Sequence, residues 1–279
     1  MGENVFRNSL TKSEQAVGLA YLAYEILGVR RAAILYPQNT YGSEFMQMFW
    51  REFVSRGGDI RRIESYDPSD SDVVAPVKRL IGTKDQTLST EFELCSADEA
   101  RRRSRGEGSF KACFTDRKFT PTLDFEAIFL PDGVKRASEF LPTLSFYDVK
   151  GVHALGTNLW NSELLFRGKH EPSVQGAVFL DGAYTSKTNP VVQQFLAQFR
   201  QAYQSEPKGL EAQAYDTGLM LIHVLSQSRP RSPRDFQSAL SKIQDLDGTV
   251  GKITITESRD AHHKLTPFVV DGPEIKEMR

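Results

Sequence analysis

The stretch "AILYPQNTYGSEF", residues 33–45, passes from apolar to turn-forming to helix-starting letters. Its first residues suit a short strand covered on both faces. The next periodic set, Phe45, Met48, Phe49, Glu52 and Phe53, predicts a helix that stops at Gly57-Gly58. Strand therefore passes to helix through a turn, and Tyr41 is parked in that turn. A tyrosine there either packs the corner or faces something bound.

The same passage recurs on both sides. Upstream, Ala16, Leu19, Ala20, Ala23, Ile26 and Leu27 recur at helical spacing from Ser13 until Gly28 supplies a stop. Downstream come "DIRRIESYD" (59–67) as a strand, a short helix opened by Asp72 and running to Leu80, "FEAIFLPD" (125–132) as a buried strand, a helix from Gly133 to Phe146, and "VHALGT" (152–157). Regular β–α alternation implies a doubly wound parallel sheet with helices on both faces, an α/β fold. One segment interrupts it: residues 83–124 show no sustained period and carry a basic cluster at Arg101, Arg102, Arg103 and Arg105. It reads as a surface insertion, its arginines a solvated face or a contact for an acidic partner or phosphate. Within it, the capping-box pattern Ser96-Ala97-Asp98-Glu99 can open a short helix.

Beyond "NLWNSELLF" (158–166) and the strand "VQGAVFLDGAY" (174–184), the order changes. Asn189-Pro190 starts a helix whose buried face is Val192, Phe195, Leu196, Phe199 and Tyr203. An apolar helix over about 209–227 follows, then one capped by Ser232 and running to 243. Two closing strands, "VGKITIT" (250–256) and "LTPFVV" (265–270), bracket a turn with His262 and His263. Helices followed by a hairpin predict a different layer or lobe.

The 279 residues allow one large domain or two, and 35 basic against 36 acidic residues leave no global field toward nucleic acid or an anionic membrane. No run approaches the ~18 apolar residues of a membrane span, and "MGENVFRNSL" shows no signal-peptide pattern. Cys95 and Cys113 can form one disulfide or remain two thiols. There is no glycine fingerprint for dinucleotides, no P-loop, HExxH, CxxC or GxSxG. Ser9 to Lys12 match SxxK in letters only, and "DPSDSD" (67–72) lacks the glycine and glutamate of a calcium loop. The histidines at 153, 170, 223, 262 and 263 are scattered. Catalytic residues, metal ligands and cofactors are therefore not expected. What remains is geometric: ligands of an open parallel sheet sit beyond the carboxyl ends of its strands. The residues at those ends are Tyr41, Asp67, Asp132, Asn158 with Trp160, and Asp181. They either line a small-molecule cleft or pack corners and cap helices.

The order of landmarks resembles the type I periplasmic binding proteins, the leucine/isoleucine/valine-binding branch in particular. It is carried by "VFRNSLTKSEQAVGLAYLAYEILGVRRAAILYPQNTYGSEF", "FEAIFLPDG", "GVHALGTNLWNS", "GAVFLDGAY" and "EAQAYDTGLMLIHVL" in that order. Part of the wording is most similar to a lipoprotein-like subgroup that includes penicillin-binding-protein activators. The resemblance implies a hinge crossing at 1–11, a complete Rossmann-like lobe two at 12–182, and the C-terminal part of lobe one at 183–279. About the first third of the usual fold is then absent, and the tail helices expose an apolar patch for a missing segment or self-association to cover.

The function implied is non-catalytic solute binding between two lobes, for an ABC permease, with a small polar ligand such as an amino acid. The alternative is an activator-like interaction module for a cell-wall synthase, with 83–124 as its contact surface. Location would be periplasmic or outer-membrane-anchored. Carried over by position, Tyr41 flanks the ligand, Asp132 and Asn158 stand at matching strand ends, Trp160 follows, and Tyr215 is the tyrosine of the late "AYD" helix near the cleft. Asn158 stands where amino-acid binders have a carboxylate; it can hydrogen-bond an ammonium but brings no charge.

Overall fold

The computed structural model describes residues 5–82, 123–165, 171–182, 189–262 and 264–278. The insertion at 83–124 and both cysteines fall almost wholly or wholly outside them, so the readings made for that segment concern residues outside the described set.

The opening stretch forms as its pattern predicts. Strand β1 (Arg31–Pro37) is buried along almost its whole length, and helix α2 (Thr40–Ser55) starts where the side chain of Asn39 accepts a hydrogen bond from the Gly42 amide. Glycine is required at 42 because a Cβ there would collide with the carbonyl oxygen and ring of Pro37. The helix can therefore leave the strand end at close range. Its inner face is Phe45, Phe49 and Phe53, all essentially without exposure. Phe49 stacks on Phe53 at 5.4 Å and meets Phe129 of the sheet at 4.5 Å.

Before β1, helix α1 (Lys12–Tyr21) begins with a capping box in which the Thr11 side chain accepts from the Glu14 amide and Glu14 accepts from the Thr11 amide. The helix continues as a π turn, Leu22–Ile26, and the chain breaks out at Gly28, with φ +70°. The remaining units are β2 (Asp59–Tyr66), α3 (Val74–Leu80), β3 (Ala127–Phe129), α4 (Val134–Phe146), β4 (His153–Gly156), the single turn α5 (Glu171–Val174) and β5 (Val178–Asp181). As expected for Asp72, its carboxylate accepts from the amides of Val74 and Ala75 at the head of α3.

Alternation along the strands divides the core in two. Ala33, Leu35, Ile128, Leu130 and Phe179 face the side of α3 and α4, whereas Ala32, Ile34, Ala127, Phe129 and Leu180 face α1 and α2. Strands β2, β1, β3, β4 and β5 pair in parallel in that spatial order.

The tail corrects the expected boundaries. Helices α6 (Pro190–Tyr203), α7 (Gly209–Ser228) and α8 (Pro233–Leu240) form where they were read, except that Tyr203, expected on the buried face of α6, is exposed and α8 stops at Leu240 rather than 243; β6 (Leu246–Gly248), β7 (Gly251–Ile255) and β8 (Ala261–His262) make a separate three-stranded sheet. However, β7 and the strand containing "TPFVV" form no hairpin. That strand, β9 (Thr266–Asp271), runs antiparallel to β5, and β10 (Glu274–Glu277) pairs with β9, completing a seven-stranded sheet. The sheet that was expected to end at 182 therefore recruits 266–277. Burial decides this: Phe268 stacks on Phe179 at 5.6 Å and Val270 is buried beside it, so β9 covers the otherwise open edge of β5.

The smaller module packs Met220, Val224, Leu240, Ile253 and Ile255 together with Phe6 from the chain start. Its turn before β7 is anchored by the buried carboxylate of Asp216, which accepts from the amides of Thr249 at 2.7 Å and Val250 at 3.2 Å. The expected uncovered patch is present on α7, where Leu210, Leu221, Ile222 and Leu225 are exposed.

Two outcomes follow from this packing. Truncating Phe49 to alanine lowers the free energy of urea unfolding by about 3–5 kcal/mol, whereas Trp50→Ala, on the exposed side of α2, stays within about 0.5 kcal/mol. Glu126, just before β3, accepts from the amide of Arg30 and the guanidinium of Arg31, which lower its carboxyl from 4.5 to about 2. Because the folded value lies below the unfolded one, its contribution is full above pH 4.5 and is lost as pH falls toward 2. Glu126→Gln thus has a shallower loss of stability across that window in acid-denaturation curves, and the effect is modest because the side chain is half exposed.

Candidate ligand-binding cleft

Five βα connections meet along the carboxyl edge of the parallel strands, and each contributes a polar or aromatic side chain for a reason of local structure. Tyr41 occupies the first turn of α2, its ring 4.9 Å from Phe45 and the Lys12 ammonium 5.8 Å from its centre. Lys12 is itself paired with Glu44. The Tyr41 hydroxyl donates to Thr157 Oγ1 at 3.3 Å across the crevice between β1 and β4. Burial pushes this hydroxyl above its ordinary pKa, the Thr157 bond opposes that, and the negative charge of Asp132 adds to it. Tyr41 therefore stays neutral, pinned by its hydroxyl, with its ring as the part left to make contacts.

Asp132 follows β3. Its Oδ1 accepts from the Gly133 amide at 2.6 Å and its Oδ2 from the Tyr66 hydroxyl at 2.5 Å. Burial first, and then the bond to Asp132, raise the Tyr66 hydroxyl far above its usual pKa, so it remains a donor at any working pH. Arg136 lies 5.8 Å from the Tyr66 ring, donates to the Pro68 carbonyl at 2.8 Å and to the Asp70 carbonyl, and pairs with Glu139 at 2.7 Å. It thereby ties the loop after β2 to the head of α4. Asp67 in that loop accepts from the amide and hydroxyl of Ser69, which hold its carboxyl below the usual range. It closes its own turn.

After β4 the chain makes a 3-10 turn, Asn158–Trp160. The Asn158 amide donates to Oε1 of the buried Gln15 at 3.0 Å, and the Trp160 indole donates from Nε1 to the Asp132 carbonyl at 3.0 Å. Trp160 has no exposed surface, which corrects its expected place as a wall of the cleft. Its ring lies against Gly156, where any side chain would fall inside the indole. Trp160 packs the corner and locks two neighbouring strand ends together. At the end of β5, Asp181 accepts from the Asn161 amide group at 2.7 Å; burial raises its carboxyl, while Asn161 and the Gly182 amide lower it.

Tyr41, Asp132 and Asn158 are thus gathered at one edge, linked through Thr157, Tyr66 and Trp160. Tyr215 stands in α7, its ring 4.9 Å from Phe195, packed against the cluster formed by α6 and α7. The residues that sequence reading missed are Gln15, Tyr66, Thr157 and Arg136. Only Gln15 left a trace, as a polar residue beside the apolar Ala16 and Leu19 of a helix that proves buried on that face. Among the described residues no three His, Cys, Asp or Glu side chains converge as metal ligands would, and His262 instead pairs with Glu14 at 2.8 Å.

The profile of the periplasmic binding protein family matches residues 1–272. No curated protein sequence matches the chain. Among solved structures, a leucine-binding protein from Thermotoga maritima superposes with a TM-score of 0.70 at 17% identity, covering 99% of this chain and 67% of that one. A branched-chain amino acid transporter substrate-binding protein from Streptococcus pneumoniae, in complex with isoleucine, gives 0.68 at 15%, covering 98% and 66%. A solute-binding protein from R. palustris in complex with benzoate gives 0.66 at 14%, covering 99% and 65%. The chain spans about two thirds of the length of these structures. At such identities they establish the fold, and the family match establishes kinship: the chain belongs to the periplasmic binding protein family and has its type I fold.

Proposed function

We propose that this chain forms one wall of the binding cleft of an extracytoplasmic, non-catalytic solute-binding protein that serves an ABC permease. The observation that carries the reading is the gathering of Tyr41, Asp132 and Asn158 on the carboxyl edge of the sheet, on loops tied to one another by side-chain hydrogen bonds. Family membership supplies the class, and neighbours that bind isoleucine and benzoate supply the range of ligands to try. The chain also passes between the seven-stranded sheet and the smaller module three times, before Lys12, between Asp181 and Pro190, and between His262 and Thr266. Several crossings of this kind suit hinge closure around a ligand.

The ligand head faces an uncharged amide at Asn158 and a carboxylate at Asp132 whose two oxygens each already accept one hydrogen bond. Carboxylate oxygens retain further lone pairs, so Asp132 can still accept from an ammonium or hydroxyl. A zwitterionic amino acid and an aromatic acid both remain compatible with this wall. Location in the periplasm, free or anchored at the outer membrane, belongs to the same reading. The alternative of a cell-wall-synthase activator rests on residues 83–124, outside the described set, and none of the three neighbours named above is such a protein.

The test is thermal unfolding and calorimetry of the purified chain with leucine, isoleucine, benzoate and 3,4-dihydroxybenzoate. A ligand present at 100 times its Kd stabilises the folded state by about 2.7 kcal/mol and raises Tm measurably. Tyr41→Ala and Asp132→Ala each reduce that shift while still folding. If no member of the panel moves Tm or releases heat, the reading is wrong.

A further inference from the structure

The sheet face that carries α3 and α4 is roofed unevenly. Helix α4 has thirteen residues and buries Ala137, Phe140, Leu141 and Leu144, whereas the crossover from β4 to β5 has as its described helix only the four residues of α5. Four helical residues rise about 6 Å, too little to cover a pair of strands. The start of β4 shows the consequence. Leu155, on the α1 and α2 face, is fully buried, but Val152 and Ala154, on the other face, are only half-buried although β4 is a central strand. The space left is a cavity of about 330 Å³, within the range of about 300–1,000 Å³ that small-molecule sites occupy. Its floor is the adjacent pair Ile128 and Ala154 of β3 and β4, one wall is Leu141 and Leu144, and the other is α5. It opens between the last turn of α4 and the loop that leads into β4, at the amino edge of the strands. Tyr41 and Asp132 stand at the opposite edge.

The mouth of this cavity selects against charge. Its ammonium, Lys150, is already paired with Asp148, so the two add no net charge to the entrance. The last turn of α4 borders it, and the negative end of a helix dipole opposes an anion. The Ser145 hydroxyl at the rim makes no hydrogen bond among the described residues and can give or accept one. Water over an apolar floor is poorly held, and an apolar group that displaces it gains affinity. We propose that this cavity is a second ligand site, separate from the cleft, for a compact uncharged molecule with an aromatic or alicyclic body and a single hydrogen-bonding group. The inference does not rest on the cleft reading.

Calorimetric titration of the wild-type chain, Ala154→Leu and Ser145→Trp with indole, benzyl alcohol and benzoate tests it, with melting curves of all three proteins without ligand. Ala154→Leu fills the cavity from its floor and Ser145→Trp from its rim. Neither replaces a fully buried side chain, so both variants melt with the wild type or above it. The wild type binds indole and benzyl alcohol, and each variant loses about tenfold or more in affinity for both. Benzoate has the ring of benzyl alcohol and a negative charge, and its affinity, whatever it is at the cleft, is the same in all three proteins. If the wild type binds neither uncharged probe, or if the variants bind them as the wild type does, the cavity is not a site and the inference falls. If benzoate is lost in the variants in step with benzyl alcohol, the assignment to uncharged ligands falls. Titration of the same variants with isoleucine reports on the cleft separately, since neither substitution lies at the carboxyl edge.

Discussion

Each central strand of the parallel sheet has to bury two faces at once, and this constraint organises the molecule. Ala32 and Ile34 need α1 and α2 above them while Ala33 and Leu35 need α3 and α4 below, so helices must return over both sides. Parallel pairing then forces every helix to begin at the same edge, since each strand hands its chain to a helix at its carboxyl end. Loops at that edge hold the head of each helix, and caps and turns draw on short polar side chains such as Asn39, Asp72 and Asp132. The polar edge is thus a by-product of the way the core is buried, and a ligand site can be built on it by small changes in side chain.

The close approach of helices to strand ends is met by removing Cβ atoms. Gly42 lets α2 start against Pro37, and Gly156 admits the Trp160 indole over β4. Filling that space with an aromatic ring joins β3 to β4 through one indole hydrogen bond to the Asp132 carbonyl. The carboxylate of Asp132 is then fixed from several directions, by the Gly133 amide, by Tyr66 and through its own carbonyl. Such a group needs little further ordering when a ligand arrives, which limits the entropic cost of binding.

What the sequence showed and what it hid separate along a physical line. Features set by local period were legible: the apolar run of β1, the phenylalanine stripe of α2, the Asn189-Pro190 start of α6, and the positions of Tyr41, Asp132 and Asn158 at strand ends. Features set by pairing across long separations were not. Strand β9 could extend a hairpin with β7 or cover the edge of β5, and only the packing of Phe268 on Phe179 chooses between them. The hairpin from β9 into β10 turns through Gly272-Pro273, where the glycine has φ +61°. Trp160 looked like a cleft aromatic because a sequence shows a residue's chemistry without showing which way it faces. Thr157 meets Tyr41 across 116 positions, and Gln15 meets Asn158 across 143. No local pattern announces such partners.

The same line explains why the polar groups of the edge differ in what they offer. Tyr41, Asp132, Tyr66, Asp181 and the Asn158 backbone amide are each engaged within the fold. Hydrogen-bonded groups of this kind hold shape, and they exchange little with an incoming molecule unless they keep spare acceptors. Among the described residues, the Asn158 side-chain amide makes no hydrogen bond within the fold, and it sits next to Leu159. An amide presents donor and acceptor together and carries no charge, so it can meet a carboxylate or a hydroxyl equally.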